Sequence, residues 1–372
     1  MPVATPGFAA TPRPIRAADD WYRTGPPLSA DQIMATDSSV MEVAAEPQVA
    51  ELSTAATESA PRGKRNFGPL EPPESTRPVV IYWPYVISLT AVHLAALLVV
   101  VPYFYSLSGV ILSLVSYVIC NMFGVTIGYH RLLTHQGFRC PKWMEHGLAI
   151  CGMCTLQDSP ARWVAIHRMH HQHSDEQHDP HTPLVSLWWS HAGWLFVRNR
   201  RHEDINSFER YARDLLRDRF YLNAERKLGW LRIYIYHTLA IMAAGFGVGY
   251  LTGGTVAAAT QLMASWLVWG VFLRTVATLH ITWAVNSASH VWGYQSYETR
   301  DNSRNNWWVA LLSFGEGWHN NHHAQPRSAR HGHRWWELDM SWLMILFWEK
   351  IGLIDRVARP NRGSEAVAHE DA

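Results

Sequence analysis

Residues 107–135 read LSGVILSLVSYVICNMFGVTIGYHRLLTH, an apolar run, uncharged as far as Arg131, that ends on two imidazoles, His130 and His135. No Asp, Glu, Lys or Arg occurs in the 52 residues from Pro78 to Tyr129, room for two membrane spans of about 20 residues each. The 41 residues from Ile233 to Leu273 are equally free of charge, and only Arg274 interrupts the run before Glu298. The expected fold is therefore all-α and membrane-integral, with four transmembrane helices at about 79–103, 110–129, 231–250 and 256–282. SLSG and LTGGT make the two short turns.

Charge sets the orientation. Arg62, Lys64, Arg65 and Arg77 precede the first span, Arg131 follows the second, Arg226 and Lys227 precede the third, and Arg300 and Arg304 follow the fourth. By the positive-inside rule both termini and the polar block 130–230 are expected on the cytoplasmic side. Arg274 lies 18 residues into the fourth span, about 27 Å along a helix, where it is expected to snorkel to the interface or join an ion pair.

With 32 basic and 31 acidic side chains the net charge is +1, which argues against nucleic acid as a partner. Mean hydropathy is only −0.12 because polar blocks offset the spans. Residues 1–77 hold eleven prolines and no sustained apolar period, so a disordered cytoplasmic tail is expected there, a membrane domain over 78–357 and a flexible terminus over 358–372. Of four cysteines, Cys120, Cys151 and Cys154 sit in apolar sequence. With no secretory signal at the N-terminus, they are expected to be small buried residues, neither disulfides nor ligands.

Working outward from His130 and His135, the same chemistry recurs beyond each uncharged run. HRMHH brings His167, His170 and His171, NSASH brings His290, and HNNHH brings His319, His322 and His323. In both HxxHH segments the spacing i, i+3, i+4 places three imidazoles on one helical face, while the i, i+5 spacing of HRLLTH suits a frayed helix end. Nine imidazoles exceed what one ion takes, so two metals side by side are expected. There is no HExxH, and the carboxylate-rich helices of soluble di-iron bundles, with their pairs of Glu-x-x-His, are missing. An all-nitrogen pair of sites favours redox-active iron, although zinc accepts the same ligands. Asp175, Asp179, Glu316 and Asn320 are expected to orient imidazole N–H groups. His93 and His237 read as single structural residues within spans, His331 and His333 as solvent-facing, and His181 as the best additional contact beside HRMHH.

In this order HRLLTH, HRMHH, NSASH and GEGWHNNHH resemble the membrane fatty-acid desaturases of the stearoyl-CoA desaturase family, over residues 79–357. TWAVNSASH and the segment leading into GEGWHNNHH look nearest to its prokaryotic branch, which includes acyl-lipid delta-9 enzymes and points to a bacterial inner membrane. The resemblance implies four transmembrane helices capped by a cytoplasmic helical domain holding two iron ions. The implied reaction is O2-dependent, two-electron formation of a cis double bond, expected at delta-9, in a saturated acyl chain.

Carried over by position, the nine clustered histidines bind iron and Asn286 contacts one iron through water. Gln157, Trp163 and Thr282 line the bend of the acyl tunnel. One departure bears on the acyl carrier. Where acyl-CoA enzymes of the family have an Arg-Asp pair, this chain has Ala165 and Ile166, which favours acyl-lipid over acyl-CoA as substrate. The chain has no HPGG haem segment and no CxxCxxC pattern, so electrons are expected from a separate ferredoxin or small haem protein. The rival readings are a related membrane di-iron acyl or alkane hydroxylase and, in another class, a metal-binding membrane transporter.

Overall fold

The computed structural model describes residues 68–203 and 205–361, without the side chains of 205–207. Most of the expected tail over 1–77 and of the terminus over 358–372 lies outside them. The part of the tail that is described is packed. Leu70 N donates to Leu184 O, Gln177 Nε2 donates to Glu71 O, and Thr76 is buried.

Among the described residues every regular element is helical, with four isolated β-bridges and no strand. Four helices are long and apolar enough to cross a membrane. The first, α1 (Trp83–Val100), opens with Pro84 in its first turn, where a missing N–H costs nothing. The second, α2 (Leu107–Thr134), is capped by Ser106, whose Oγ accepts from Gly109 N.

Its 28 residues would reach about 42 Å at α-helical rise, beyond a hydrocarbon core of about 30 Å. From Val118 to Thr134 it is wound as a π-helix, and His135 N bonds His130 O. This winding accounts for HRLLTH: an i→i+5 turn brings residues five apart onto one face, so the second span ends in an ordered widened coil instead of fraying.

A short cap follows: α3 (Lys142–Met153), α4 (Pro160–His173), α5 (Leu187–His191), α6 (Ile205–Tyr211), α7 (Arg213–Leu216) and α8 (Arg219–Glu225). At Lys227 and Leu228 the backbone turns left-handed and redirects the chain into the third long helix, α9 (Gly229–Gly253). Gly254, at φ +66°, closes α9 where a side chain would be strained, and Thr255 caps the fourth, α10 (Val256–His290). A π segment, Val268–Leu273, lies inside α10. Three more short helices complete the cap: α11 (Trp307–Leu312), α12 (His319–Ala324) and α13 (Met340–Lys350).

Close approach of α2 to α3 depends on glycine. A Cβ at Gly124 would lie 2.5 Å from the Cys151 carbonyl carbon, and one at Gly152 would enter the Tyr129 ring. The main core gathers where α2, α3, α4 and α13 meet, around Ile127, Tyr129, Leu148, Met153, Val164 and Ile345. Arg274 departs from expectation. Its side chain is fully buried and donates to the carbonyls of Cys154 and Gly270, so it neither snorkels nor pairs with a carboxylate among the described residues.

Candidate metal centre

The nine clustered histidines converge from α2, α4, α10 and α12 into two adjoining groups. In the first, one ring nitrogen from each of His130, His135, His167, His171 and His322 lies within 4.8 Å of all the others. The second holds His170, His290, His319 and His323 under the same criterion. The rings of His171 and His323, one from each group, are 4.5 Å apart between centroids.

Each HxxHH helix therefore serves both groups. The pair at i and i+4 points one way (His167 with His171, or His319 with His323), and the residue at i+3 (His170 or His322) points the other. The two helices do this in opposite senses, so the single face expected from the spacing is in fact split.

Carboxylates fix the ring orientations. His290 Nδ1 lies 3.0 Å from Asp175 Oδ2, His170 Nδ1 3.0 Å from Asp179 Oδ1, and His323 Nδ1 2.6 Å from Asp301 Oδ2. His130 Nδ1 makes a short contact with Glu316, whose other oxygen accepts from Arg131 at 2.9 and 3.0 Å. Where a carboxylate holds the proton on Nδ1, the neutral ring presents a lone pair at Nε2.

Those Nε2 atoms face one another: His130 to His322 at 3.1 Å, His322 to His171 at 2.9 Å, His171 to His167 at 3.1 Å, and His319 to His290 at 3.1 Å. His135 Nε2, His170 Nε2 and His323 Nε2 are buried without a partner. Lone pairs crowded together with unsatisfied buried nitrogens suit shared cations, which take imidazole nitrogen at about 2.0–2.1 Å. The donor set fits two metal ions.

The electrostatics agree. Burial first, then neighbouring histidines, holds His135, His167, His170, His171, His319 and His322 well below the usual imidazole range, which favours the neutral form that a metal site requires. Burial alone would raise the Asp175 carboxyl, but His290 pulls it down to about 2. Burial would likewise raise Asp301 and Glu316, but His323 for the one, and His130, His331 and Arg131 for the other, bring them well below the usual carboxylate range. Burial dominates at Asp179 and lifts it to about 6.

A cavity of about 920 Å³, solvent at its mouth included, opens beside the first group and is lined by His130, His167, Asn286 and Glu316 among others. Gln157, Trp163 and Thr282 also line it and form a chain: Trp163 Nε1 donates to Gln157 Oε1 at 3.3 Å, and Gln157 Nε2 to Thr282 Oγ1 at 3.2 Å. Trp163 stacks on His167 with centroids 5.0 Å apart.

Three of the four polar neighbours expected to touch imidazoles do so. Asn320 does not: its Oδ1 accepts from the backbone of Ser296 and Tyr297 instead. Asp301 was missed, since an acidic residue in a loop carries no periodic signal. His331, expected to face solvent, is buried with its ring 4.5 Å from that of His322 and its Nδ1 3.4 Å from Glu316. The neighbouring Gly332, Glu337 and Asp339 fold that loop inward, the two carboxylates accepting from His333 N and His331 N. His181 Nδ1 lies 3.8 Å from Asp179 Oδ1, and its ring is 4.4 Å from that of His170. The four cysteines are free thiols, and Cys151 and Cys154 join no candidate metal group among the described residues.

The fatty acid desaturase family profile matches residues 106–346. The chain is 41% identical over 278 residues to an sn-1 stearoyl-lipid 9-desaturase of Synechocystis sp., covering 75% of this chain and 80% of that protein. It is 40% identical over 283 residues to an sn-1 stearoyl-lipid 9-desaturase of Anabaena variabilis, covering 76% and 96%. It is also 40% identical over 260 residues to an acyl-CoA 5-desaturase of Anemone leveillei, covering 70% and 75%.

Proposed function

The chain belongs to the fatty acid desaturase family, and from that premise we propose that it forms a cis delta-9 double bond in a saturated, lipid-bound acyl chain. The observation that carries the reading is a pair of adjoining imidazole groups, of which the group of five opens through His130 and His167 on a cavity also lined by the Trp163–Gln157–Thr282 chain. The balanced reaction turns two adjacent methylenes, O2, two electrons and two protons into a cis double bond and two waters. The electrons come from a separate ferredoxin or small haem protein.

His130, His135, His167, His171 and His322 would hold one iron and His170, His290, His319 and His323 the other, with Asn286 contacting one of the two through water. Iron bound there supplies the reductive activation of O2 on which removal of the two hydrogens depends. The chain's own residues do the rest. Asp175, Asp179, Asp301 and Glu316 keep the rings turned with Nε2 inward. The Trp163–Gln157–Thr282 chain bends the acyl path so that one pair of methylenes rests at the metals, and this positioning sets the bond. With Ala165 buried and Ile166 at the cavity, no charged pair stands at those positions to meet a coenzyme A headgroup, which favours the acyl-lipid. The enzyme sits in the cytoplasmic membrane with both termini and the metals on the cytoplasmic side.

The test is expression in a host unable to make unsaturated fatty acids, with mass spectrometry of intact phospholipids and acyl-CoA pools. A delta-9 monoene appearing first in phospholipid is expected. Products heavier by one oxygen, or a monoene formed first on coenzyme A, would overturn the reaction or the carrier respectively.

A further inference from the structure

Three histidines outside the two metal groups form a separate hydrogen-bonded chain on the flank of the helix bundle. His93 Nδ1 lies 2.6 Å from Leu89 O, and its Nε2 lies 3.0 Å from His280 Nε2. His280 Nδ1 lies 3.0 Å from His191 Nε2, and His191 Nδ1 lies 3.0 Å from Ser287 Oγ. The chain ties α1, α5 and α10 together. His93, expected to be an isolated residue of the first span, is one end of it.

The carbonyl fixes the direction of the bonds between the rings. Leu89 O only accepts, so His93 Nδ1 carries the proton and His93 Nε2 is an acceptor. His280 then donates from Nε2 and accepts at Nδ1, and His191 donates from Nε2 and meets with its Nδ1 the Ser287 Oγ, whose hydroxyl donates to Trp283 O at 2.8 Å. Five of the six ring nitrogens are thus in matched donor–acceptor pairs with every imidazole neutral. That matters here, because His93 lies ten residues into α1, about 15 Å along the helix, where unsatisfied polar groups are costly.

What the three rings surround is the indole of Trp283. The His93 ring stacks on it with planes 14° apart, and the His280 and His191 rings meet it edge-on with centroids 5.1 and 5.7 Å away. Trp283 is 5% exposed and lines the cavity together with Leu89, Leu195 and Leu279. Its outer faces are thus occupied by rings that cannot shift singly without breaking the chain.

We propose that His280, linked to His93 and His191, is a positioning residue that sets acyl-chain selection by holding Trp283 against the cavity. The proposal rests on the acyl reading of that cavity. An aromatic wall free to tilt changes the bore, and a change of about one methylene in an apolar pocket alters discrimination by about tenfold or more.

The experiment uses the full chain in membranes of a host supplying saturated acyl groups from myristoyl to arachidoyl length. It reads the ratio of long to short monoenes, the bond position and bound iron. His280→Ala is expected to keep its iron and its turnover but to shift the product ratio about three- to tenfold, in the direction given by Trp283→Leu. His280→Gln, whose amide offers one donor and one acceptor, should bring the ratio back to within about twofold of the parent.

A His280→Ala protein that makes every product in the parental ratio overturns the proposal, whatever its rate. If that protein does not accumulate, His93→Gln is read in its place, and an unchanged ratio there overturns it equally. An iron-loaded parent chain that makes no monoene at all sinks the acyl reading instead, and the proposal with it.

Discussion

The two imidazole groups draw on the same helices, α4 and α12, yet they are held in different ways. The group of four has a carboxylate behind three of its rings, with Asp175, Asp179 and Asp301 behind His290, His170 and His323. The group of five has one, Glu316 behind His130, and that charge is shared with Arg131 at 2.9 Å and His331 at 3.4 Å. The group of four thus sits in the more negative surroundings and is better suited to a more highly charged ion, since Coulomb terms between close groups are large away from water. The comparison teaches that repetition of a ligand motif does not make two sites equivalent: the loops that supply carboxylates differentiate them.

The largest effect is expected from removing a ligand. His170→Ala should lower desaturation by at least about a thousandfold and bound iron towards half, with membrane insertion intact; activity assay and metal analysis of the solubilised protein check it. Full activity would remove His170 from the group of four. Next comes the unequal support of the groups. Glu316→Gln strips the group of five of its only carboxylate among the described residues and unseats the buried Arg131, so a loss of metal affinity near a hundredfold is expected. Asp179→Asn leaves two carboxylates in place and should cost nearer tenfold. Equal losses in competition with a chelator would erase the distinction.

Acid should separate the groups further. His135, His167, His171 and His322 in the group of five, and only His170 and His319 in the group of four, have depressed values in the fold, so the unfolded chain takes protons first; the stability they contribute is full above the ordinary imidazole value and is lost as pH falls below it. Asp179, raised to about 6, works weakly in the opposite sense, while Asp175 and Asp301 stay ionised and retain the second ion longer. A cobalt-substituted protein followed by absorbance from pH 8 to 5 should lose its metals in two steps, the group of five first. The smallest effect belongs to Asn320→Ala, which breaks bonds to the backbone of Ser296 and Tyr297. A cost of about 1–3 kcal/mol in stability with unchanged metal stoichiometry is expected, and a calorimetric scan beside metal analysis would measure both.

Charge-free length alone told of four long helices, and the identities of the nine imidazoles pointed to a metal site, because hydropathy and ligand chemistry are properties of residues taken singly or in short windows. Glu316, Asp175 and Asp179 were legible as polar neighbours of the motifs. Asp301, His331 and the buried Arg274 were not, since each depends on a loop or helix folding against a distant element. The π winding of α2 was half visible in the i, i+5 spacing of His130 and His135, but only the backbone bond between them explains it.

What the chain determined by itself was the number of spans, the count of candidate ligands and their kind. The tertiary structure alone decided the partition into five and four, the carboxylate assigned to each ring, and the linking of His93, His191 and His280 around Trp283. The physical reason is separation: His130 and His322 stand 192 residues apart yet meet at 3.1 Å, and no local pattern encodes a contact that only packing can close.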